Sequence, residues 1–109
     1  MKQLLLLLLG IFCLQIIWAQ APHQINYQGV ARNATGSPIA QKEINLRLSI
    51  REGMTQGNIV YRETRLVKTN NFGLFVVAIG GPNASSVEGS LALIEWSSGV
   101  KFLQVEIDI

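Results

Sequence analysis

Apolar and polar residues alternate along two stretches of this chain, and each alternation predicts a β-strand. In KEINLRLSIRE, from Lys42 to Glu52, every second residue between Ile44 and Ile50 is apolar, and the residues between them are polar or charged. Because side chains alternate between the two faces of a strand, this pattern buries one face and wets the other. The final stretch, KFLQVEIDI, repeats the pattern with an apolar face of Leu103, Val105, Ile107 and Ile109.

Three further stretches are predicted to be strands, with less regular patterns. INYQGVAR gives a weak first strand, and LFVVAIG is apolar on both faces, as is typical of a central strand of a sandwich. NIVYRETRLVKT is rich in β-branched residues, but its inward face is ambiguous, and a bulge would reconcile its two halves.

Turn sequences separate these strands. NATGSP contains a glycine and a proline, and EGMTQGN is expected to close the second and third strands into a hairpin. In NNFG, Asn70, Asn71 and Gly73 are expected to reverse the chain because Asn and Gly tolerate positive φ. Phe72 is then expected to fold over the open end of the sandwich.

The one stretch that favours a helix is SLALIEWSSG, which predicts a short helix near residues 91–96 with Ser90 as its cap. The fold class that follows is all-β: an antiparallel Ig-like or prealbumin-like sandwich with one short helix.

The start of the chain has the features of a helical, cleaved signal peptide over residues 1–19. Lys2 precedes the apolar run LLLLLLGIFCLQIIWA, which ends in the small residue Ala19, a suitable cleavage point. The alternative is a transmembrane anchor, but the run is short for a span and no basic stop follows it. Cys13 would leave with the signal, so the mature chain, residues 20–109, would form one domain without disulfides or thiolate metal sites.

The charge pattern argues against a nucleic-acid partner. Without Lys2 the chain has eight basic and seven acidic residues, and the two signs are interspersed. Nucleic-acid binding usually needs a clustered basic face. Two pairs, Arg47 with Arg51 and Arg62 with Arg65, are interpreted as solvated strand faces. The protein is expected to contact the membrane only through its signal peptide.

The titratable residues predict no catalytic, cofactor-binding or metal site, and hence no enzyme. His23 is the only histidine and Asp108 the only aspartate, and nothing in the sequence places them beside Ser97 or Ser98 as a triad. His and Cys clusters for zinc are missing, as is a phosphate-binding glycine loop.

Aromatic residues provide the candidate ligand site. Tyr27, Tyr61 and Trp96 could stack sugars if exposed, although a large ring such as Trp96 more often closes a core. Exposure of two of them on one face would favour a carbohydrate-binding module, and burial of all three would favour a structural role.

Two resemblances add to this interpretation. GVARNATGSPIAQKEINLRLSI, TNNFGLFVVAIG and GVKFLQVEI together look like the prealbumin-like domains of carboxypeptidase regulatory and collagen-adhesin B type. The motifs INYQGVARNATGSPIA, LRLSIREG, GNIVYRET, NFGLFVVAIGG and WSSGVKFLQVEID resemble the N-terminal β-sandwich module of secreted Gram-negative surface proteins, which precedes collagen-like repeats or tail-fibre-like segments.

The second resemblance implies a secreted or cell-surface protein of a Gram-negative bacterium. It also implies a non-catalytic structural or adhesive role, with other surface or fibre domains of the same longer protein as partners, and glycans as a further partner class. The alternatives are a carbohydrate-binding module and an accessory domain of a larger secreted enzyme. In the family, further strand sequence follows KFLQVEID, so a chain stopping at Ile109 is expected to be a fragment that lacks its closing strand.

Overall fold

A computed structural model describes residues 23–109, and the predicted signal peptide at 1–19 lies outside them. Six strands are present in this part of the chain: β1 (Ile25–Val30), β2 (Glu43–Glu52), β3 (Ile59–Lys68), β4 (Leu74–Ile79), β5 (Ser86–Glu88) and β6 (Lys101–Asp108). They form two antiparallel sheets, β1–β4 and β5–β3–β2–β6, which pack as a sandwich. The predicted all-β antiparallel fold is confirmed.

The core lies between the two sheets and is built largely by β2. Its four alternating residues Ile44, Leu46, Leu48 and Ile50 are all buried, as the sequence predicts. From the smaller sheet, Phe75, Val77 and Ile79 of β4 complete the buried layer. Gly29 lies against the Phe75 ring, where an added Cβ would come within 2.8 Å of it, so β1 needs a glycine at this point.

The NNFG corner between β3 and β4 reverses the chain, but its asparagines do not take the positive φ that the sequence predicts for them. Only Gly73 of the four residues takes a positive φ, at 78°. Asn70 acts through its side chain, whose Oδ1 accepts hydrogen bonds from the backbone amides of Phe72 and Leu74 at 2.8 and 3.0 Å. The expectation for Phe72 is wrong: its side chain is exposed at the tip of the turn.

Two secondary-structure predictions need correction. The short helix expected near 91–96 is a single 3-10 turn, Leu91–Leu93, because the residues after it become extended at Ile94. In addition, β4 is not a central strand, since within the described residues it pairs only with β1. Its outward face is also only partly covered: Val76 is 64% exposed, and Leu74 and Ala78 are half-buried.

The sequence leaves open which residues of β3 face the core, and the structure shows a bulge in this strand followed by an inward face that includes charged residues. The pairing with β2 shifts where Ile50 meets Tyr61 and Arg51 meets Ile59, so Val60 is the extra residue. Beyond the bulge, the side chains directed at the core are those of Tyr61, Glu63 and Arg65. The interpretation of Arg65 as part of a solvated face is wrong, because it is buried beside a carboxylate that neutralises it.

Candidate functional site

The three aromatic residues proposed as ligand contacts lie in different parts of the sandwich. Tyr61 is buried on β3, and its ring belongs to the core. Tyr27 is half-buried on β1, tilted against Phe75 with 6.1 Å between ring centroids. Trp96 is half-buried after the 3-10 turn, and its indole N–H donates to the backbone carbonyl of Leu91 at 3.1 Å. Tyr61 therefore offers no open ring face to a sugar, and the other two do not form an exposed aromatic platform.

A buried polar group that the sequence interpretation missed is centred on Glu63. We call Tyr61, Glu63, Arg65 and the amide of Gly80 the Glu63 cluster. The Glu63 side chain is fully buried, and its Oε1 accepts from the Tyr61 hydroxyl at 2.7 Å and from the Gly80 amide at 2.6 Å. Its Oε2 accepts from Nε of Arg65. Both carboxylate oxygens are thus satisfied inside the protein.

Arg65 extends the Glu63 cluster to the turn after β4. Its two terminal nitrogens donate to the backbone carbonyls of Gly81 at 2.5 Å and Pro82 at 2.7 Å. The cluster therefore fastens the chain between β4 and β5 onto β3. Burial and the hydrogen bond to the Glu63 carboxylate raise the pKa of the Tyr61 hydroxyl, so it remains a neutral donor. Every polar group in the cluster is bonded to another, which suits a rigid tie.

A shallow hollow of about 280 Å³ opens above this cluster, with His23, Tyr61 and Ser90 in its lining. Asp108 does not reach it. Asp108 pairs with Asn45 of β2, whereas Tyr61 pairs with Ile50 of the same strand. At about 3.4 Å per strand residue, the two positions are about 17 Å apart along the sheet. His23 and Asp108 are thus not brought together.

The outer face of the four-stranded sheet, which points away from β1 and β4, is polar, and three arginines on it form hydrogen bonds to residues of neighbouring strands. Arg47 forks onto Glu106 with contacts of 2.9 and 2.5 Å, and Nε of Arg51 donates to Gln104 at 2.8 Å. Nε of Arg62 donates to the hydroxyl of Ser49 at 2.8 Å. All three arginines therefore lie on this outer face as expected, with Arg47 exposed and both Arg51 and Arg62 partly covered.

The Arg47–Glu106 pair sets the local electrostatics of that face. Its hydrogen bond and charge lower the pKa of the Glu106 carboxyl and raise that of the Arg47 guanidinium. A shallow groove of about 660 Å³ runs past the pair, lined also by Asn45, Thr64 and Asp108. The charges of Arg47 and Glu106 neutralise each other, which leaves Asp108 as the remaining charged residue of the lining.

The inner face of β6 is apolar but incompletely covered. Leu103 and Ile107 are 40% and 41% exposed, although the β2 residues paired with them, Ile50 and Leu46, are buried. The prediction of an apolar face on β6 holds for its alternation, but the small β1–β4 sheet leaves part of that face open. The far edge of β6 has no strand partner within residues 23–109. We call this edge, together with Leu103, Val105 and Ile107, the β6 surface.

Two further observations bear on function. In the described part of the chain, no group of three or more His, Cys, Asp and Glu side chains is placed to hold a metal ion. No helix among residues 23–109 has the length and apolar character needed to cross a bilayer.

Fold and site together define a small antiparallel β-sandwich domain with a buried ionic tie. The chain belongs to the family described as Domain of unknown function (DUF8740), whose sequence profile matches residues 26–109. No curated protein and no solved structure matches the chain. The family match covers all six strands except the first residue of β1, so the Glu63 cluster and the β6 surface both lie within the matched domain.

Proposed function

We propose that this protein is a non-catalytic structural or adhesive module of an exported bacterial cell-surface protein. The observation that carries the proposal is the β6 surface, where an unpaired strand edge lies beside apolar side chains that the sandwich leaves uncovered. Such a surface is suited to joining further β-structure, because it supplies both free backbone hydrogen-bonding groups and apolar area.

The rest of the described domain supports a passive role. Its buried polar side chains all have hydrogen-bond partners, and the Glu63 cluster uses its charged groups to fasten one turn. The partners we propose are other surface or fibre domains of the same longer protein, in keeping with the resemblance to N-terminal modules of Gram-negative surface proteins.

The alternative of a carbohydrate-binding module has less support, because one of its three proposed aromatic contacts, Tyr61, is buried. The accessory-domain alternative would depend on an enzyme domain elsewhere in a longer protein.

Export is the first test of this proposal. The full chain with a C-terminal tag is expressed in a Gram-negative host, and the cells are fractionated and treated with protease while intact. We expect a protein that begins at Gln20 and is degraded by external protease. The matched control is Ala19→Arg, which places a large charged side chain at the cleavage point and should leave the signal uncut. Uncut protein that stays inside the cell in both cases would contradict the proposal.

A further inference from the structure

The NNFG corner holds an aromatic side chain in solvent on a turn that is firmly braced. The Phe72 side chain is 76% exposed, although hydrogen bonds fix the backbone on both sides of it. The Gly73 amide donates to the carbonyl of Asn70 at 3.1 Å, and the Gln41 amide donates to the same carbonyl at 3.0 Å. The side-chain amide of Gln41 also donates to the side-chain oxygen of Asn71. Because the turn is already ordered, Phe72 can contact a partner with little further loss of backbone entropy.

Apolar residues continue from Phe72 onto the outer face of the β1–β4 sheet. Leu74 and Val30 lie opposite each other on that face, and Val30 is 43% exposed. Val76, the next outward residue of β4, is 64% exposed. We call Phe72, Leu74, Val76 and Val30 the corner patch. A strand added at an edge of either sheet would leave this face outward, so edge pairing would not cover the corner patch.

Acidic residues are missing from the segments that form this side of the sandwich. All seven belong to the four-stranded sheet or to the connection between β5 and β6. Residues 24–42 and 64–87, which include β1, β4 and the corner, contain none. The same two segments contain four basic residues: Arg32, Lys42, Arg65 and Lys68. Arg65 is neutralised within the Glu63 cluster, which leaves the other three.

These three cations are exposed, and two of them lie beside the corner. The amide of the residue before Arg32 is excluded from solvent by a hydrogen bond of 2.9 Å to the carbonyl of Gly73. The carbonyl of Lys42 accepts a hydrogen bond of 2.9 Å from the last residue before the corner. The third cation, Lys68, lies opposite Glu43, which offsets its charge. The corner therefore keeps a surplus of positive charge from Arg32 and Lys42.

An apolar tip with cations beside it is suited to an anionic lipid surface. Apolar side chains enter the boundary between headgroups and acyl chains, and nearby Lys and Arg are attracted to anionic headgroups. A projecting side chain can enter a bilayer, which is fluid, without a pocket of matching shape. The acid-free segments add no carboxylate that such a surface would repel.

We propose that the corner patch attaches the exported domain to a lipid bilayer with anionic headgroups, with Phe72 inserted and with Arg32 and Lys42 at the level of the headgroups. This contact is additional to the one expected through the signal peptide. The inference rests on the proposed function and names the surface to which the exported module attaches.

Sedimentation of the exported protein with lipid vesicles measures this binding. Vesicles of phosphatidylglycerol mixed with phosphatidylcholine supply an anionic surface, and vesicles of phosphatidylcholine alone are neutral. We expect binding to the anionic vesicles to be at least about tenfold tighter, because two cations contribute to it. High salt should weaken this binding, because salt screens the attraction between the cations and the headgroups.

Matched variants test the two components of the corner patch. Phe72→Ser should weaken binding at least about tenfold, because it removes the apolar group that enters the bilayer. The control is Leu93→Ser, which removes a side chain that is 83% exposed but lies two residues from Glu95, and its binding should be unchanged. Lys42→Gln should weaken binding about fivefold. Arg47→Gln makes the same change of charge on the outer face of the four-stranded sheet and should have a smaller effect. Thermal melting shows whether each variant is folded.

Insertion is tested directly by Phe72→Trp. Its fluorescence emission should shift to shorter wavelength when anionic vesicles are added, because the indole moves from water into the bilayer boundary. The control is Leu93→Trp, whose emission should not shift. Trp96 is present in both variants and gives a common background.

The proposal is overturned by an exported protein that does not bind anionic vesicles, or that binds neutral vesicles equally well. It is also overturned if Phe72→Ser weakens binding no more than Leu93→Ser, or if the emission of Phe72→Trp does not shift. A protein that is exported and accessible to external protease, but does not bind vesicles, would refute membrane attachment while leaving the proposed function standing.

Discussion

Replacing Glu63 with Gln tests whether the buried ionic tie stabilises the domain. The substitution keeps the size and shape of the side chain. Its remaining oxygen can still accept from the Tyr61 hydroxyl and the Gly80 amide, which both bond to Oε1. The new amide nitrogen, however, would face Nε of Arg65, and both groups are donors. The variant therefore replaces the charge pair with a contact between two donors and leaves the hydrogen bonds to Oε1 in place.

The expected loss is large because the guanidinium remains buried without its counter-ion. Breaking one partner of a buried pair typically costs about 3–5 kcal/mol. Arg65 keeps its hydrogen bonds to the carbonyls of Gly81 and Pro82, so we expect the lower end, about 3 kcal/mol. For a small domain with a total stability of about 5–15 kcal/mol, this is a substantial fraction.

Urea unfolding followed by circular dichroism measures the effect. With a denaturant slope of about 1–3 kcal/mol/M, the midpoint should fall by about 1–3 M. The control is Glu106→Gln, which makes the same chemical change in the solvent-open pair with Arg47 and should shift the midpoint far less. Equal shifts for the two variants would refute the view that burial makes the Glu63 pair the more important one.

Other perturbations follow from the same structure. Leu48→Asp puts an unpaired carboxylate at a fully buried position and should lower the free energy of unfolding by more than about 4 kcal/mol. Its dichroism spectrum and melting curve should therefore be those of an unfolded chain. An unchanged melting curve would contradict the assignment of Leu48 to the inward face of β2. In Gly73→Ala, the alanine would have to keep φ near 78° and would place its Cβ 2.7 Å from the carbonyl oxygen of Ala31. Calorimetry should therefore show a loss of at least about 1 kcal/mol in the free energy of unfolding. The control is Gly36→Ala, which also has a positive φ but lies in open space and should lose less. Because the pKa of Tyr61 is raised, its contribution to the stability of the fold is present below the ordinary value of 10.0 and is lost as the pH rises above that value. A spectroscopic titration should therefore show Tyr61 ionising only together with unfolding. A tyrosinate signal from Tyr61 in a folded protein near pH 10 would contradict this. The pKa of Glu106 is lowered, so its contribution to the stability of the fold is present above the ordinary value of 4.5 and is lost as the pH falls below that value. The stability difference between wild type and Arg47→Gln should therefore shrink on acidification. A constant difference would argue against a stabilising Arg47–Glu106 pair.

The strands differ in how much of their environment the sequence could predict. For β2, alternation was sufficient because the strand has neighbours on both sides and a sheet over its inner face. In β3 the inward positions are Tyr61, Glu63 and Arg65, and a carboxylate inside a core makes sense only with its donors. Two of the donors, Tyr61 and Arg65, lie on the same strand. The third donor, the Gly80 amide, and the carbonyls of Gly81 and Pro82 that accept from Arg65 are 16 or 17 residues away in the chain. A local pattern contains no information about them.

One local signal for the Glu63 cluster was nevertheless present. Tyr61, Glu63 and Arg65 have the two-residue spacing of a single strand face, and adjacent opposite charges on one face can neutralise each other. The alternation of β6 was equally visible, but alternation gives the direction of a side chain and not the extent of its cover. How far the β1–β4 sheet reaches over Leu103 and Ile107 depends on the number of strands in that sheet.

The Glu63 cluster and the β6 surface lie on opposite sides of β2, and this separation has a mechanical consequence. On one side, β3 is fastened to the turn after β4 through Arg65, which ties the two sheets together. On the other side, β6 is held by its pairing with β2 and by surface contacts such as Arg47 with Glu106. Local opening should therefore cost less free energy at β6 than at β3, because β6 has less buried area and more solvent-open bonds. Amide hydrogen exchange should therefore be faster in β6 than in β3, and equal protection of the two strands would contradict this.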